Sequence, residues 1–143
     1  MKKIIIGEKK KNEKYAFRET CFAIIEKDET FYLTEKNNEL SLVGGGVEKG
    51  ETHIETLKRE AMEEAGLTIL ECKEFITIDC FWLTRDKTNM ESLANFYIVN
   101  ISDKIVPNTE ECSKLVRVGK HNLINKLPLP YQKKAIELYL ERK

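Results

Sequence analysis

Apolar residues recur at two different periods along this chain. Residues 21–26, 30–34, 75–83, 93–101 and 114–118 are dense in β-branched, aromatic and other apolar side chains and read as strands. Lys27, Asp28 and Glu29 separate the first two runs, which predicts a hairpin. Between the early and late strands the spacing becomes helical. At about 100° per residue, Ile54, Leu57, Ala61 and Ala65 fall on one stripe. Thr52 and Glu55 form a Thr-x-x-Glu capping box, so a helix starts just after Thr52. Gly66 supplies the left-handed conformation that closes it. After Gly119 the spacing predicts a short helix over residues 121–127, and Pro128 and Pro130 punctuate the chain before a second helix over residues 131–141. Ala135, Ile136, Leu138 and Tyr139 give that helix its apolar side. The order of elements reads as α/β or α+β. With 143 residues and no repeat, linker or low-complexity segment, the expectation is one domain over residues 1–143.

The polar side of the middle helix carries the candidate chemistry. Glu60, Glu63 and Glu64 gather on an arc of roughly 100° beside the apolar stripe. Like charges three and four residues apart repel by a few tenths of a kcal/mol, roughly, with nothing gained in return. A hard divalent cation reverses that sign, and carboxylate oxygens suit Mg²⁺ or Mn²⁺. Taken alone, such a flank also serves as a solvated acidic face. Gly44, Gly45 and Gly46, however, cost backbone entropy at a strand end, and their use is to let the main chain approach a metal or a phosphate closely.

Charge and cysteine content narrow the class further. The formal net charge is zero, which argues against bulk nucleic-acid or membrane binding. The distribution is uneven: residues 1–18 hold seven Lys or Arg against two Glu, or +5, leaving −5 for the acidic remainder. That basic run either steers a polyphosphate substrate or an RNA end, or is a frayed, solubilising terminus, and the second reading is preferred. Cys21, Cys72, Cys80 and Cys112 form no CxxC pair and lack histidines at ligand spacing, so they read as reduced thiols of a cytoplasmic protein. No apolar run approaches the length of a membrane span or of a signal peptide.

Residues 45–67 read GGVEKGETHIETLKREAMEEAGL, which satisfies every fixed position of G-x5-E-x7-R-E-U-x-E-E-x-G-U, where U is apolar. On Gly45, Glu51, Arg59, Glu60, Glu63, Glu64 and Gly66 the chain resembles the Nudix hydrolases. The resemblance implies the Nudix fold, a mixed β-sheet sandwiched between α-helices. It implies that Glu60, Glu63 and Glu64 bind divalent cations with help from a backbone carbonyl of the glycine loop, here Gly44. It also implies that the metals polarise a phosphoryl oxygen and activate water for attack on phosphorus. Glu51 and Arg59 match positions that support the site, the Arg orienting the box carboxylates. The general base in this family is either a box glutamate or one from a later loop, where Glu110 and Glu111 stand. Val43 occupies a position where many relatives have Pro, which implies a local change in loop stiffness.

Substrate preference is less legible. The window where some Nudix subgroups carry a Pro or Tyr marker reads Trp82, Leu83, Thr84, and neither marker is present. Among Tyr15, Phe17, Phe81 and Trp82, most aromatics belong in a core, and Trp82, near polar Thr84 and Arg85, is the candidate to stack a base. Arg18 suits a bidentate phosphate contact, and Gly45 and Gly46 a close approach to substrate. The resulting expectation is a pyrophosphohydrolase, dependent on Mg²⁺ or Mn²⁺, cleaving a diphosphate linkage in a nucleoside triphosphate or related nucleotide, with a homodimer left open. Two rival readings are a non-catalytic nucleotide-sensing Nudix domain and an isopentenyl diphosphate isomerase-like enzyme.

Overall fold

A computed structural model of the chain describes residues 1–142. Its sheet is built from β1 (Lys3–Ile6), β2 (Ala16–Ile24), β3 (Glu26–Lys27), β4 (Thr30–Lys36), β5 (Glu39–Gly46), β6 (Ile69–Leu83), β7 (Asn89–Ile101) and β8 (Ser113–Gly119). The helices are α1 (His53–Ala65), α2 (Leu123–Lys126), preceded by a 3₁₀ turn, and α3 (Pro130–Glu141). The strand order is β1-β6-β7-β2-β5-β4-β3, with β8 also paired to β4. β1 runs parallel to β6 and β2 parallel to β7, while the other pairs are antiparallel. This is the expected mixed sheet between helices.

Strand alternation divides the core in two. Phe22, Ile24, Leu42, Ile78 and Phe96 point to the face covered by α2 and α3, where Leu123, Ala135 and Ile136 meet them. Cys21, Ala23, Ile25 and Val43 point to the other face, covered by Leu57, Ala61 and Ala65 of α1. The predicted stripe of α1 is therefore its buried side, except that Ile54 is only partly buried against the cluster. All four cysteines are unpaired thiols. Among the described residues no helix is long and apolar enough to cross a membrane.

Two expectations need correction. The N-terminus is not frayed: residues 3–6 pair in register with residues 77–80 of β6, so Lys3 and the three isoleucines lie on a sheet edge, with Ile4 and Ile6 half-buried. β5 was not predicted at all, because its last three residues are glycine, a poor strand former. It is held by β4 over its first half and by β2 over its second. At the change-over the Leu42 N–H donates to the side chain of Gln132 (2.9 Å), which also donates to Ser41 Oγ (3.0 Å). Gln132 of α3 thus fixes the strand that carries the glycines. The predicted hairpin at Lys27–Glu29 is present, its turn formed by Asp28 (φ 53°) and Glu29 (φ 64°).

Candidate active site

The ends of α1 are set as the sequence predicts. Thr52 Oγ1 accepts from the Glu55 N–H (3.2 Å) and Glu55 Oε1 accepts from the Thr52 N–H (2.9 Å). Gly66, with φ 65°, closes the helix. Between these ends, the face of α1 that does not enter the core looks onto β5, across a cleft of about 370 Å³. Gly44, Gly45, Arg59, Glu60, Glu63 and Glu64 line it, together with Arg18, Lys36, Glu48, Thr109 and Glu110.

Each glycine of β5 makes room for a particular neighbour. Gly44 has φ +149°, and a Cβ there would lie 2.0 Å from the Cys21 carbonyl oxygen. A Cβ on Gly45 would lie 2.8 Å from the Glu60 carboxyl carbon, and one on Gly46 would lie 3.2 Å from the Arg18 guanidinium. The main chain is bare where a carboxylate and a cation must approach it. Gly44 contributes its N–H as well, donating to Glu64 Oε1 at 3.1 Å.

Arg59 is the hub of the acidic flank. Its Nε and Nη2 donate to the two oxygens of Glu51 (2.6 and 3.0 Å), its Nη1 to Glu60 (2.7 Å) and, more weakly, to Glu63 (3.4 Å), and its Nη2 to the Gly46 carbonyl (3.1 Å). Glu51 also accepts from the Glu48 N–H (2.9 Å) and Thr56 Oγ1 (2.8 Å). The Arg59 guanidinium, followed by the Glu48 N–H, holds the Glu51 carboxyl down at about 2. A carboxylate depressed in the fold contributes stability that is present above its unfolded value and lost as the pH falls through the folded one. Acid destabilisation of the wild type between roughly pH 4.5 and 2 should therefore be shallower in Glu51→Gln, as followed by melting temperature against pH. Equal slopes would remove Glu51 from that account.

Glu60 and Glu64 behave in the opposite way. Burial raises both, Glu64 to about 8, and the Gly44 N–H offsets this only in part. Glu64 is 8% exposed and, among the described residues, its carboxyl accepts one hydrogen bond, from a backbone N–H and not from a cation.

The segment between β7 and β8 closes the C-terminal end of α1. The Glu110 N–H donates to the Glu63 carbonyl (2.8 Å), Ser113 Oγ to the Glu64 carbonyl (3.0 Å) and the Val106 N–H to the Gly66 carbonyl (3.0 Å). Asn108 Nδ2 braces the loop on the carbonyls of Glu110 (2.7 Å) and Ser113 (2.9 Å). Of the two candidate loop acids, Glu110 lines the cleft and pairs with Lys36. Glu111 is exposed and does not line it. The backbone bond from Glu110 to Glu63 fixes which of the neighbours turns inward. Sequence reasoning missed Lys36, Asn108 and Ser113. Nothing local marks them, since pairing of β4 with β8 and the loop path bring them to the helix.

Trp82 lies outside this cleft. It lines a separate cavity of about 620 Å³ with Leu83, Pro128, Leu129 and Pro130, donates from Nε1 to Ser92 Oγ (2.9 Å), and packs edge-on against Tyr131. A channel of about 310 Å³ shares Arg18, Lys36 and Glu64 with the acidic cleft, and shares Glu39, Pro128 and Leu129 with the Trp82 cavity. Phe17 is 60% exposed, and Tyr15 packs on Phe81 away from the cleft.

A family model described as the NUDIX domain matches residues 17–139. The chain belongs to the NUDIX family. The fold agrees with solved structures. The chain is similar to a NUDIX hydrolase from Nitrosomonas europaea at 21% identity, covering 86% of this chain and 88% of that one, with a TM-score of 0.68. It is similar to the mutator MutT protein from Bacillus halodurans at 19% identity, covering 87% and 83%, with a TM-score of 0.72. A structure described as an ADP compounds hydrolase matches at 18% identity, covering 87% and 71%, with a TM-score of 0.65. At such identities the likeness establishes the fold. No match was found among curated proteins. Membership makes the chain a Nudix-type pyrophosphohydrolase, of the class acting on nucleoside diphosphate derivatives.

Nudix hydrolases generally use divalent metal ions, and the donors here fit one. They are all oxygens, and among the described residues Glu64 is a buried carboxyl with no cationic hydrogen-bond partner. Among the described residues no three acidic or other ligating side chains already converge on one point. Glu60 and Glu63 are turned onto Arg59 instead.

Proposed function

We propose that this NUDIX protein hydrolyses the diphosphate linkage of a nucleoside triphosphate or closely related nucleotide, using Mg²⁺ or Mn²⁺. The observation that carries this reading is that three neighbouring spaces share walls: an acidic cleft, a pocket walled by Arg18 and Lys36, and a mostly apolar cavity with Trp82. A molecule filling all three has a metal-binding polyphosphate at one end and an aromatic base at the other.

Glu60, Glu63 and Glu64, with a main-chain oxygen of the Gly44 region, would hold the cation. Bound there, it supplies Lewis acidity, drawing charge from a phosphoryl oxygen and lowering the pKa of a water. The chain's own groups do the rest. Arg59, anchored on Glu51 and Gly46, orients Glu60 and Glu63. Arg18, lying over Gly46, offers a planar fork to a phosphate. Glu110, released from Lys36, takes a proton from the attacking water, and Lys36 is then free to meet a substrate phosphate. The indole of Trp82 stacks the base.

The experiment is a panel of nucleoside triphosphates, nucleotide sugars, dinucleoside polyphosphates and capped RNA, assayed for phosphate or pyrophosphate release. Turnover is expected with Mg²⁺ or Mn²⁺ and should vanish on chelation, while the circular dichroism of the fold persists, because the two-sided core does not need the metal. Undiminished turnover after exhaustive chelation overturns the mechanism. Silence of the whole panel under both metals favours a nucleotide-sensing domain.

A further inference from the structure

Beside Trp82, the cavity is lined by three polar side chains, Glu39, Thr84 and Arg85, and two of them stand side by side. Glu39, at the start of β5, and Arg85, in the turn between β6 and β7, approach to 4.0 Å between Oε1 and Nη2. Both line the cavity with Trp82, and Glu39 lines the channel toward the phosphates as well. Their side chains keep 61% and 95% of their exposure, so the contact is a loose surface pair that adds little to stability. Most of their hydrogen-bonding capacity is left for a ligand. A carboxylate only accepts and a guanidinium only donates. Placed next to each other at the wall of an apolar slot with an indole, they form a two-part reading head.

The four common bases answer that head differently. Guanine presents two adjacent donors, N1–H and the N2 amino group, beside two acceptors, O6 and N7. The donors match Glu39 and the acceptors match Arg85. Adenine turns the N1 lone pair toward the same carboxylate, and cytosine does so with N3, leaving an acceptor facing an acceptor. Uracil has a single N–H between two carbonyls. Each of the other bases can offer Glu39 one donor beside an acceptor, but guanine alone offers donors on two adjacent nitrogens, one for each carboxylate oxygen, while keeping O6 and N7 for Arg85.

We propose that Glu39 and Arg85 are specificity-determining residues that select a guanine nucleotide in the Trp82 cavity. This rests on the nucleotide reading given above, and the test separates the two. Trp82 is the only tryptophan of the chain, so its fluorescence reports the cavity directly. GMP, AMP, CMP and UMP are titrated without metal into the wild type, Glu39→Gln and Arg85→Ala, and kcat/KM is measured in parallel for the four nucleoside triphosphates with Mg²⁺.

In the wild type, GMP should bind roughly ten- to a hundredfold more tightly than AMP, the range of a bidentate base contact, and GTP should lead ATP in kcat/KM in the same direction. Glu39→Gln should lose the preference and bind AMP better than the wild type does, because a carboxamide offers adenine a matching donor and acceptor. Arg85→Ala should weaken GMP more than the other three, and neither variant should shift the melting temperature appreciably. Equal quenching by all four monophosphates overturns the proposal, as does absence of quenching by any. So does an equal loss across the bases in both variants, which is what a mere tie between two turns would give. If no triphosphate is hydrolysed yet GMP is still preferred, the hydrolytic reading fails and the guanine site stands. Equal hydrolysis of all four with no binding preference does the reverse.

Discussion

Glu64→Gln is expected to lower kcat by about two or more orders of magnitude while leaving the metal-free protein as stable as the wild type or slightly more so. The first half follows from the loss of a charge that would hold the cation, a transition-state effect of several kcal/mol, roughly. The second follows from burial. Glu64 is pushed up to about 8 because the fold desolvates its carboxyl. Glutamine has no charge to desolvate, keeps the side-chain length, and retains an oxygen to accept from the Gly44 N–H. Glu63→Gln should show the same loss of turnover with a smaller effect on stability, since its side chain is 45% exposed. Leu57→Ala is the matching control: Leu57 is fully buried, so it should cost about 2–5 kcal/mol of stability and leave chemistry largely intact in whatever remains folded. Melting temperature and kcat measured together on the three variants decide the matter. Gln variants that unfold, yet turn over normally when folded, would make these carboxylates structural.

Gly44→Ala should be the most damaging single change in the glycine segment. The backbone conformation at φ +149° is one that residues with a Cβ rarely adopt, and the added methyl would meet the Cys21 carbonyl oxygen at 2.0 Å. Strain and overpacking together cost about 2–6 kcal/mol, a large part of a domain's stability. By contrast, the clash in Gly45→Ala is with the far end of the Glu60 side chain, which can swing aside. Gly45→Ala should therefore fold and lose activity, whereas Gly44→Ala should fold poorly. Urea denaturation of both, with activity of the soluble fraction, tests the contrast, and equal midpoints would contradict it.

The contrast also marks what a sequence can convey. The helix of the box was legible in full, both caps included, because Thr52, Glu55 and Gly66 act within one turn of where they stand. Arg59 and Glu51 were legible only as supports of the site, through the resemblance; that Arg59 bridges eight residues to grip both oxygens of Glu51 needed the fold. β1 was not legible, because its stability comes from β6, more than seventy residues away, and its three isoleucines are flanked by lysines that argue for solvent. β5 was hidden by the same glycines that make it useful. Glu110 and Glu111 could not be told apart until a backbone hydrogen bond to Glu63 set the direction of the loop. The surroundings of Trp82 were not legible, because its cavity adjoins the acidic cleft through a pocket that takes residues from β2, β4, β5, α1 and the segment before α3.

The loop that closes α1 has a bearing on how the site comes into being during folding. The carbonyl of Glu64 waits for Ser113, 49 residues later in the chain, and that of Glu63 for Glu110. A helix of thirteen residues is marginal on its own in water. The acidic flank therefore acquires its final geometry only after β6 and β7 have paired and the chain has returned to lay β8 against β4. Such non-local closures come slowly, after the loop entropy has been overcome. A nascent chain that has emerged only as far as β7 carries every residue of the box and still lacks the finished pocket.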